Sequence, residues 1–513
     1  MNLQQSSSSA LGSETEKLKA RINEWLTEIL QDWEPYRIRD NKVIRDAVFG
    51  FNLFYRHEIN IINSPLLQRL RYIHQNALAS LTYPTATHSR FEHSLGCAFI
   101  ADKMMRVINE KQKTPPIDDW QMAEVRIAAL LHDCGHGPFS HASEFVYDIL
   151  STELQDIRAE DMERFGHAAG HEILSYFIVT SPRFRELWGQ ISGLYDPTKE
   201  RLLCDLQKID LERVGLMILG FSSKGCPAYS SQMINGPFDA DKFDYIIRDG
   251  YFSGLTTNID IDRLAVSLDL YREGQTEPVL CMDIGGATIL EQMLFNKMML
   301  FSSMYHHHKV RASFRQLVRL FTEAREHGIQ LNDVDLGSAT AFLKLDDYKV
   351  LSYAMLKPEL RGVAEGIYHR KLPKRALVVD RGILLDIPSR EQWVEVGASP
   401  DRTSELEAEI ALKAGIEKAD VCIDFPPEPR IHKTAEASMI RLASGRPLVS
   451  LDSLYPVGGW MKGYEEYRFR SYIFSPDEFQ NEVADAALHV FNAHHIHIDY
   501  DLSKGQAKWD PPL

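Results

Sequence analysis

The 513-residue sequence has only six cysteines, at 97, 134, 204, 226, 281 and 422, and no CxxC pair among them. That scarcity argues against a disulfide framework or a thiolate zinc site and fits reduced thiols packed as small apolar groups. Long hydrophobic runs are missing as well. Stretches such as Ile127–Leu131 and Val350–Leu356 fall far short of the roughly 18 residues that a membrane span needs. The opening segment MNLQQSSSSALGSETEK has no basic stretch followed by an apolar one, so a cytoplasmic location without a secretory signal is expected. Cationic excess is also absent. Net charge is −15, from 57 Lys and Arg against 72 Asp and Glu, which argues against bulk attraction to nucleic acid but leaves room for a local basic pocket. There is no repeat of solenoid period, and no low-complexity tract beyond Ser6–Ser9.

What is present is an ordinary globular composition, 44% hydrophobic and 25% charged, over a length that suits one large core with appended lobes. In ETEKLKARINEWLTEILQDW, residues Leu18, Ile22, Trp25, Leu26, Ile29 and Leu30 recur at helical spacing. From about Lys42 to His308 helical apolar patterns alternate with Gly, Pro and Asn punctuation. QKTPP at 112–116 marks a break, and DDWQMAEVRIAALLHD reads as a helix capped near Asp118 or Asp119. After about residue 330, RALVVDRGILLDI, ADVCIDF and YRFRSYIF carry the β-branched and aromatic bias of strands. The expected fold is mainly α. Residues 1–35 form a polar tail and amphipathic helix, 36–330 a helical core, and 331–513 a smaller C-terminal α+β lobe.

The densest chemistry lies in LLHDCGHGPFSHASE, residues 130–144, where three histidines and two carboxylates follow an apolar helix. His132 and Asp133 are consecutive, so at a helix end their side chains diverge by roughly 100° and reach one ion from adjacent directions. An imidazole beside a carboxylate suits Mn, Fe, Zn or Mg alike. Two ligands are too few, and more donors stand in THSRFEHSLG, residues 87–96, at His93, and in PFDADKFDYIIRDG, residues 237–250, at Asp239, Asp241, Asp244 and Asp249. The triplet His306–His308 is rejected as a second metal site, because successive helical positions point apart.

The ordered set RFEHSLG, HDxGHxPFSHxxE and DxDKxDYxxRD resembles the deoxynucleoside triphosphate (dNTP) triphosphohydrolase branch of the HD superfamily. KVIRDAVFG at 42–50, SPLLQRLRYIHQ at 64–75, HHHKV at 306–310 and KLPKR at 371–375 extend the resemblance. It implies an HD-domain helical core with one divalent metal per active site, held by His93, His132, Asp133 and Asp241. It places Arg90 on phosphate, and His136, His141, Glu144, His171 and Glu172 on general-acid and phosphate-stabilising work. Lys242 and Tyr245 fall on the triphosphate, Gln75 and Asp249 on the deoxyribose, and Arg370 and Lys374 on a regulatory nucleotide. The implied partners are a dNTP substrate, a nucleotide activator and further copies of the chain, as dimer, tetramer or hexamer. Asn76 departs from the Leu that animal members carry beside the sugar-reading Gln, and Met298 from an Arg that reaches the terminal phosphate. The base-pocket region becomes Ser302–His307, with His307 expected to reach the nucleotide.

The chemistry is coherent without the name. Attack on phosphorus needs an activated water and a dispersed cationic cradle, which Arg90 and Lys242 supply. A leaving 5′-oxygen needs a proton, and His141 oriented by Glu144 is the expected donor. Release of deoxynucleoside and tripolyphosphate is what the resemblance implies. The same ligand set would also serve a phosphohydrolase of nucleoside monophosphates or signalling nucleotides. A nucleotide-sensing regulator with suppressed turnover is the reading against which intact His141 and Glu144 weigh.

Overall fold

Helical spacing at Leu18, Ile22, Trp25 and Leu26 becomes the helix Glu14–Ile29 in the structure, a computed structural model, with that stripe buried. The helix packs on Gly170–Thr180 and Pro182–Gly193, so its apolar face is covered within the chain. The structure describes residues 13–508 apart from 112–115, 151, 197–203, 224, 258, 275, 429, 444–445 and 469, and without the side chains of 149 and 150. Residues 1–12 of the expected polar tail and 112–115 of the expected break lie outside the described residues.

The fold is mainly α, as expected. At its centre helix Arg90–Glu110 packs along Asp119–Leu131 and Ala240–Ser253, while Leu211–Ile218 lies against Asp119–Leu131 and Gly170–Thr180. Local chemistry starts each helix where it starts. Glu92 reaches back to the Ser89 amide, Asp118 caps the second helix, and Asp239 accepts from Lys242 N to cap the third. Gly254, at φ 73°, ends that third helix in the left-handed conformation that a side chain disfavours.

Three small sheets accompany the helices. Strands β1 (Lys42–Asp46) and β2 (Gly50–Phe54) form a hairpin. Strands β3 (Leu268–Tyr271) and β4 (Val279–Asp283) join β7 (Met439–Arg441) and β8 (Val449–Ser450) in the order β3-β4-β7-β8. Strands β5 (Lys374–Val379), β6 (Cys422–Asp424) and β9 (Ser471–Ser475) form an antiparallel sheet in the order β5-β9-β6, from the three segments read as strands. The strands between 42 and 283 interrupt a region read as helical. They are only four or five residues long, too short for alternation to stand out from helical spacing.

A large hydrophobic core runs from Leu18 to Met461, and a second one forms around β5, β6 and β9 from Ala376 to Ala507. Ile431, Ile440, Leu451 and Met461 belong to the first core although they follow β6, because parallel pairing of β7 with β4 carries the chain back.

Candidate metal centre and active site

Three helices of the central bundle deliver the donors. His93 sits on the first turn of Arg90–Glu110, His132 and Asp133 just past the end of Asp119–Leu131, and Asp241 on the first turn of Ala240–Ser253. His93 Nε2 lies 3.0 Å from Asp241 Oδ1, 3.5 Å from Asp133 Oδ2 and 3.3 Å from His132 Nε2. His132 Nε2 is 3.4 Å from Asp133 Oδ1 and 3.8 Å from Asp241 Oδ1. Donors about 2.0–2.2 Å from a common ion stand roughly 3.0–3.5 Å apart, so four of these five spacings fit one divalent cation and the fifth, His132 to Asp241, is slightly wide.

The outer partners of the two imidazoles are already set. His93 Nδ1 donates to Asp244 Oδ2 at 2.6 Å and His132 Nδ1 to Ala129 O at 2.8 Å, which turns both Nε2 atoms toward the gap. Asp244 is in turn held by Arg248 through two bonds of 2.8–2.9 Å, and Arg248 also reaches Asp46 Oδ2 at 2.9 Å. These partners separate the four carboxylates that sequence offered. Asp239 caps its helix and pairs with Lys242 Nζ at 2.6 Å, Asp244 orients His93, and Asp249 accepts from His88 Nε2 at 2.7 Å and from Tyr305 OH. Asp241 alone of the four faces both imidazole Nε2 atoms.

Electrostatics follow from crowding carboxylates and imidazoles out of water. Burial opposes charge on His93, yet the Cys97 sulfur 3.6 Å away and the Asp241 and Asp244 carboxylates raise it well above its ordinary value. Burial would raise Asp133, but Arg90, whose Nη1 donates to its Oδ2 at 2.7 Å, holds it well below the carboxylate range. Asp241 is likewise held down, against burial, by His132 and His93.

A histidine cluster adjoins this centre. Glu144 accepts from His141 Nδ1 at 2.7 Å and from His171 Nδ1 at 2.8 Å, and the His136 ring stacks on His171 with centroids 3.9 Å apart. Burial disfavours charge on His171, but Glu144 outweighs it and lifts the group to about 9. Burial together with Arg90 and His171 keeps His136 neutral, and neither of its ring nitrogens is hydrogen-bonded. Glu172 is engaged by Ala169 N and Asn235 Nδ2, both at 2.8 Å. Gly135 explains how His136 reaches the cluster: a Cβ there would stand 2.3 Å from His171 O, so only glycine permits this approach.

One cavity of about 740 Å³ brings most of the named residues together: Gln75, Asn76, Arg90, His132, Asp133, His141, Glu144, His171, Glu172, Asp241, Lys242, Tyr245 and Asp249. Gln75 Oε1 and Arg90 Nη2 are buried in it without a hydrogen-bond partner. His307 is placed differently. A wide turn at Phe301–Tyr305 ends the preceding helix, and His307 caps the next one, His308–Glu326, accepting from Lys309 N at 3.3 Å. It lines a neighbouring cavity, whereas His306 borders both. The triplet therefore spans a helix break rather than successive helical positions. Arg370 and Lys374 line a third cavity, of about 1130 Å³.

Several contributors escaped the sequence reading. Arg248 follows Asp244 at helical i+4 spacing and was legible as a pair, but Asp46, His88, Ser140 and Tyr305 reach the site only through the fold.

Residues 90–201 match the HD domain family, and residues 259–499 match the HD associated region. The chain thus carries an HD domain followed by an HD-associated region. The chain is 32% identical over 253 residues to the mouse deoxynucleoside triphosphate triphosphohydrolase SAMHD1, a match covering 46% of this chain and 36% of that protein. It is 27% identical to the Dictyostelium discoideum homolog of that enzyme, over 66% of this chain and 60% of that protein. An uncharacterized protein of Methanocaldococcus jannaschii matches at 26% identity over 86% of this chain and 81% of its own length. The chain thus spans well under two thirds of the mouse enzyme. Among solved structures, a phosphohydrolase from Bacteroides thetaiotaomicron shares the fold, with a TM-score of 0.61 at 22% identity over 85% of this chain and 100% of that one. A hypothetical protein from Aquifex aeolicus does so at 0.62 and 23%, over 87% and 99%. Among the described residues of this HD protein, no helix is long and apolar enough to cross a membrane.

Proposed function

We propose that this HD protein is a metal-dependent phosphohydrolase that cleaves dNTPs to deoxynucleoside and tripolyphosphate. The observation that carries the reading is the convergence of His93, His132, Asp133 and Asp241 beside Arg90, in a cavity that also holds Lys242, His141 and His171. The names of the mouse and slime-mould relatives support the substrate class.

Those four residues would hold a divalent ion, which would supply Lewis acidity and an activated water near neutral pH. Arg90 keeps one guanidinium nitrogen on Asp133 and another without a partner, which suits a phosphate oxygen. Lys242 adds a second cation and His171, kept charged by Glu144, a third. Glu144 fixes His141 through Nδ1, which leaves Nε2 to give its proton to the departing 5′-oxygen. His136 packs against His141 edge-on and stacks on His171, and Glu172 holds the N-terminus of the helix that carries His171. Gln75, Asn76 and Asp249 face the sugar, Tyr245 the triphosphate and His307 the nucleotide from the adjoining cavity. Arg370 and Lys374 bind a regulatory nucleotide in a homo-oligomer.

The test is incubation of purified protein with each dNTP, singly and in pairs, with Mn or Mg, and chromatography of the products. Deoxynucleoside with tripolyphosphate is expected, and no turnover of the mono- or diphosphates. Faster turnover of a monophosphate, or no product with any dNTP combination, overturns the reading.

A further inference from the structure

Phe139 and Ser140 stand side by side at φ 57° and 54°, in left-handed backbone that residues with a side chain rarely adopt. Both line the catalytic cavity, in the turn between His136 and the helix His141–Leu150. Two such residues in succession persist only where surrounding bonds hold them, and strain of this kind gathers at functional sites.

The bonds arrive from outside the turn. Asp347 Oδ1 accepts from Phe139 N at 2.6 Å, and Asp347 Oδ2 accepts from His74 N at 2.9 Å and from His74 Nδ1 at 2.6 Å. Ser140 Oγ donates to His74 O at 2.6 Å and accepts from Arg90 Nε at 2.9 Å. Residues 74, 139 and 140 are thus locked together, with Gln75 one residue beyond and His141 opening the next helix. The three donors also satisfy a carboxylate that would be costly to bury bare.

The carboxylate reaches them because of how its own helix begins. Asp346 caps Asp347–Leu356 by accepting from Lys349 N at 2.9 Å, so Asp347 is not needed as the cap and turns toward the loop. Asp347 lies in the stretch that matches the HD associated region, whereas Phe139 and Ser140 lie in the HD domain. It is buried and does not itself line the cavity.

We propose that Asp347 is a positioning residue for hydrolysis: it fixes the Phe139–Ser140 turn against His74, and so sets where Arg90, His141 and Gln75 stand around the metal gap. Its effect on rate rests on the phosphohydrolase reading. The clamp itself is measurable without turnover.

Asp347→Ala and Asp347→Asn, each loaded with Mn, are compared with the natural protein by kcat per bound metal on the dNTP turned over fastest. Asp347→Ala is expected to lower this value about 10- to 100-fold, because a small displacement of the groups around phosphorus slows the reaction steeply. Metal stoichiometry should be unchanged, since Asp347 bonds none of His93, His132, Asp133 and Asp241. Asp347→Asn keeps an acceptor for Phe139 N but turns its NH2 toward the His74 donors, so its value should fall between the two. A role in folding alone would lower the denaturant midpoint and leave kcat per bound metal in place, and that result overturns the proposal. An Asp347→Asn value no higher than that of Asp347→Ala does so as well. Should Asp347→Ala fail to fold, Asp347→Asn decides alone, and a value equal to the natural protein's overturns the proposal. Hydrogen exchange over residues 136–141 of metal-free protein, followed by mass spectrometry, separates this proposal from the catalytic reading. Asp347→Ala should lose protection at the Phe139 amide, and unchanged exchange removes the clamp. A natural protein that cleaves no dNTP, with exchange that still responds to Asp347, leaves the clamp standing and removes the catalytic reading.

Discussion

Asp244 Oδ2 accepts from His93 Nδ1 at 2.6 Å while Arg248 grips both oxygens of the same carboxylate. With His93 as a metal ligand, as proposed, the aspartate would set the tautomer of that ligand without being one. Asp244→Asn is expected to weaken metal affinity by about 10- to 100-fold. Competition with a chromogenic chelator measures it, and an unchanged affinity excludes the orienting role.

Asp239 and Asp241 are two residues apart with opposite duties. Asp241→Ala should strip the metal and abolish turnover. Asp239→Ala should keep the metal and cost about 1 kcal/mol or more through the lost helix cap and Lys242 pair. Metal stoichiometry together with denaturant midpoints distinguishes them, and the reverse pattern would exchange their roles.

Gly96 lies where helix Arg90–Glu110 meets the Asp244–Arg248 pair. A Cβ there would stand 1.8 Å from Asp244 Oδ1 and 2.3 Å from Arg248 Nη2. Gly96→Ala should therefore destabilise by about 1–3 kcal/mol and lower metal content with it. Gly189→Ala, in a helix where the new Cβ meets nothing within 4 Å, should stabilise by about 0.5–1 kcal/mol. Chemical denaturation of both variants is the check.

The Glu144–His171 pair predicts a pH window. His171 is raised to about 9, so its contribution is fully present below its unfolded value of 6.5 and is lost as pH rises through about 9. Glu144 is held well below 4.5, so its share is present above that value and is lost only as pH falls through the lowered one. Glu144→Gln should bring the His171 titration, followed by NMR, down toward or below 6.5. The alkaline limb of kcat/KM should move with it. A limb that stays in place would separate His171 from catalysis.

Much of the architecture was legible because its causes are local. Helical spacing marked Leu18 to Leu26, an acidic residue marked the cap at Asp118, and strand bias marked β5, β6 and β9. The short strands β1 to β4 escaped because four or five residues carry too little periodicity, and β4 pairs with β7 far along the chain. The His306–His308 break escaped because nothing in three consecutive histidines announces the turn before them.

At the site the division is sharper. The sequence by itself determined the donor types, the motif order and the helix whose end carries His132 and Asp133, since these depend on residues within a turn or two of one another. Only the tertiary structure decided which aspartate caps, which orients a histidine and which faces the metal gap, and on which side of Phe301 and His306 each side chain falls. Those choices depend on how three helices distant in sequence pack, because a carboxylate turns toward whichever partner the neighbouring helix presents.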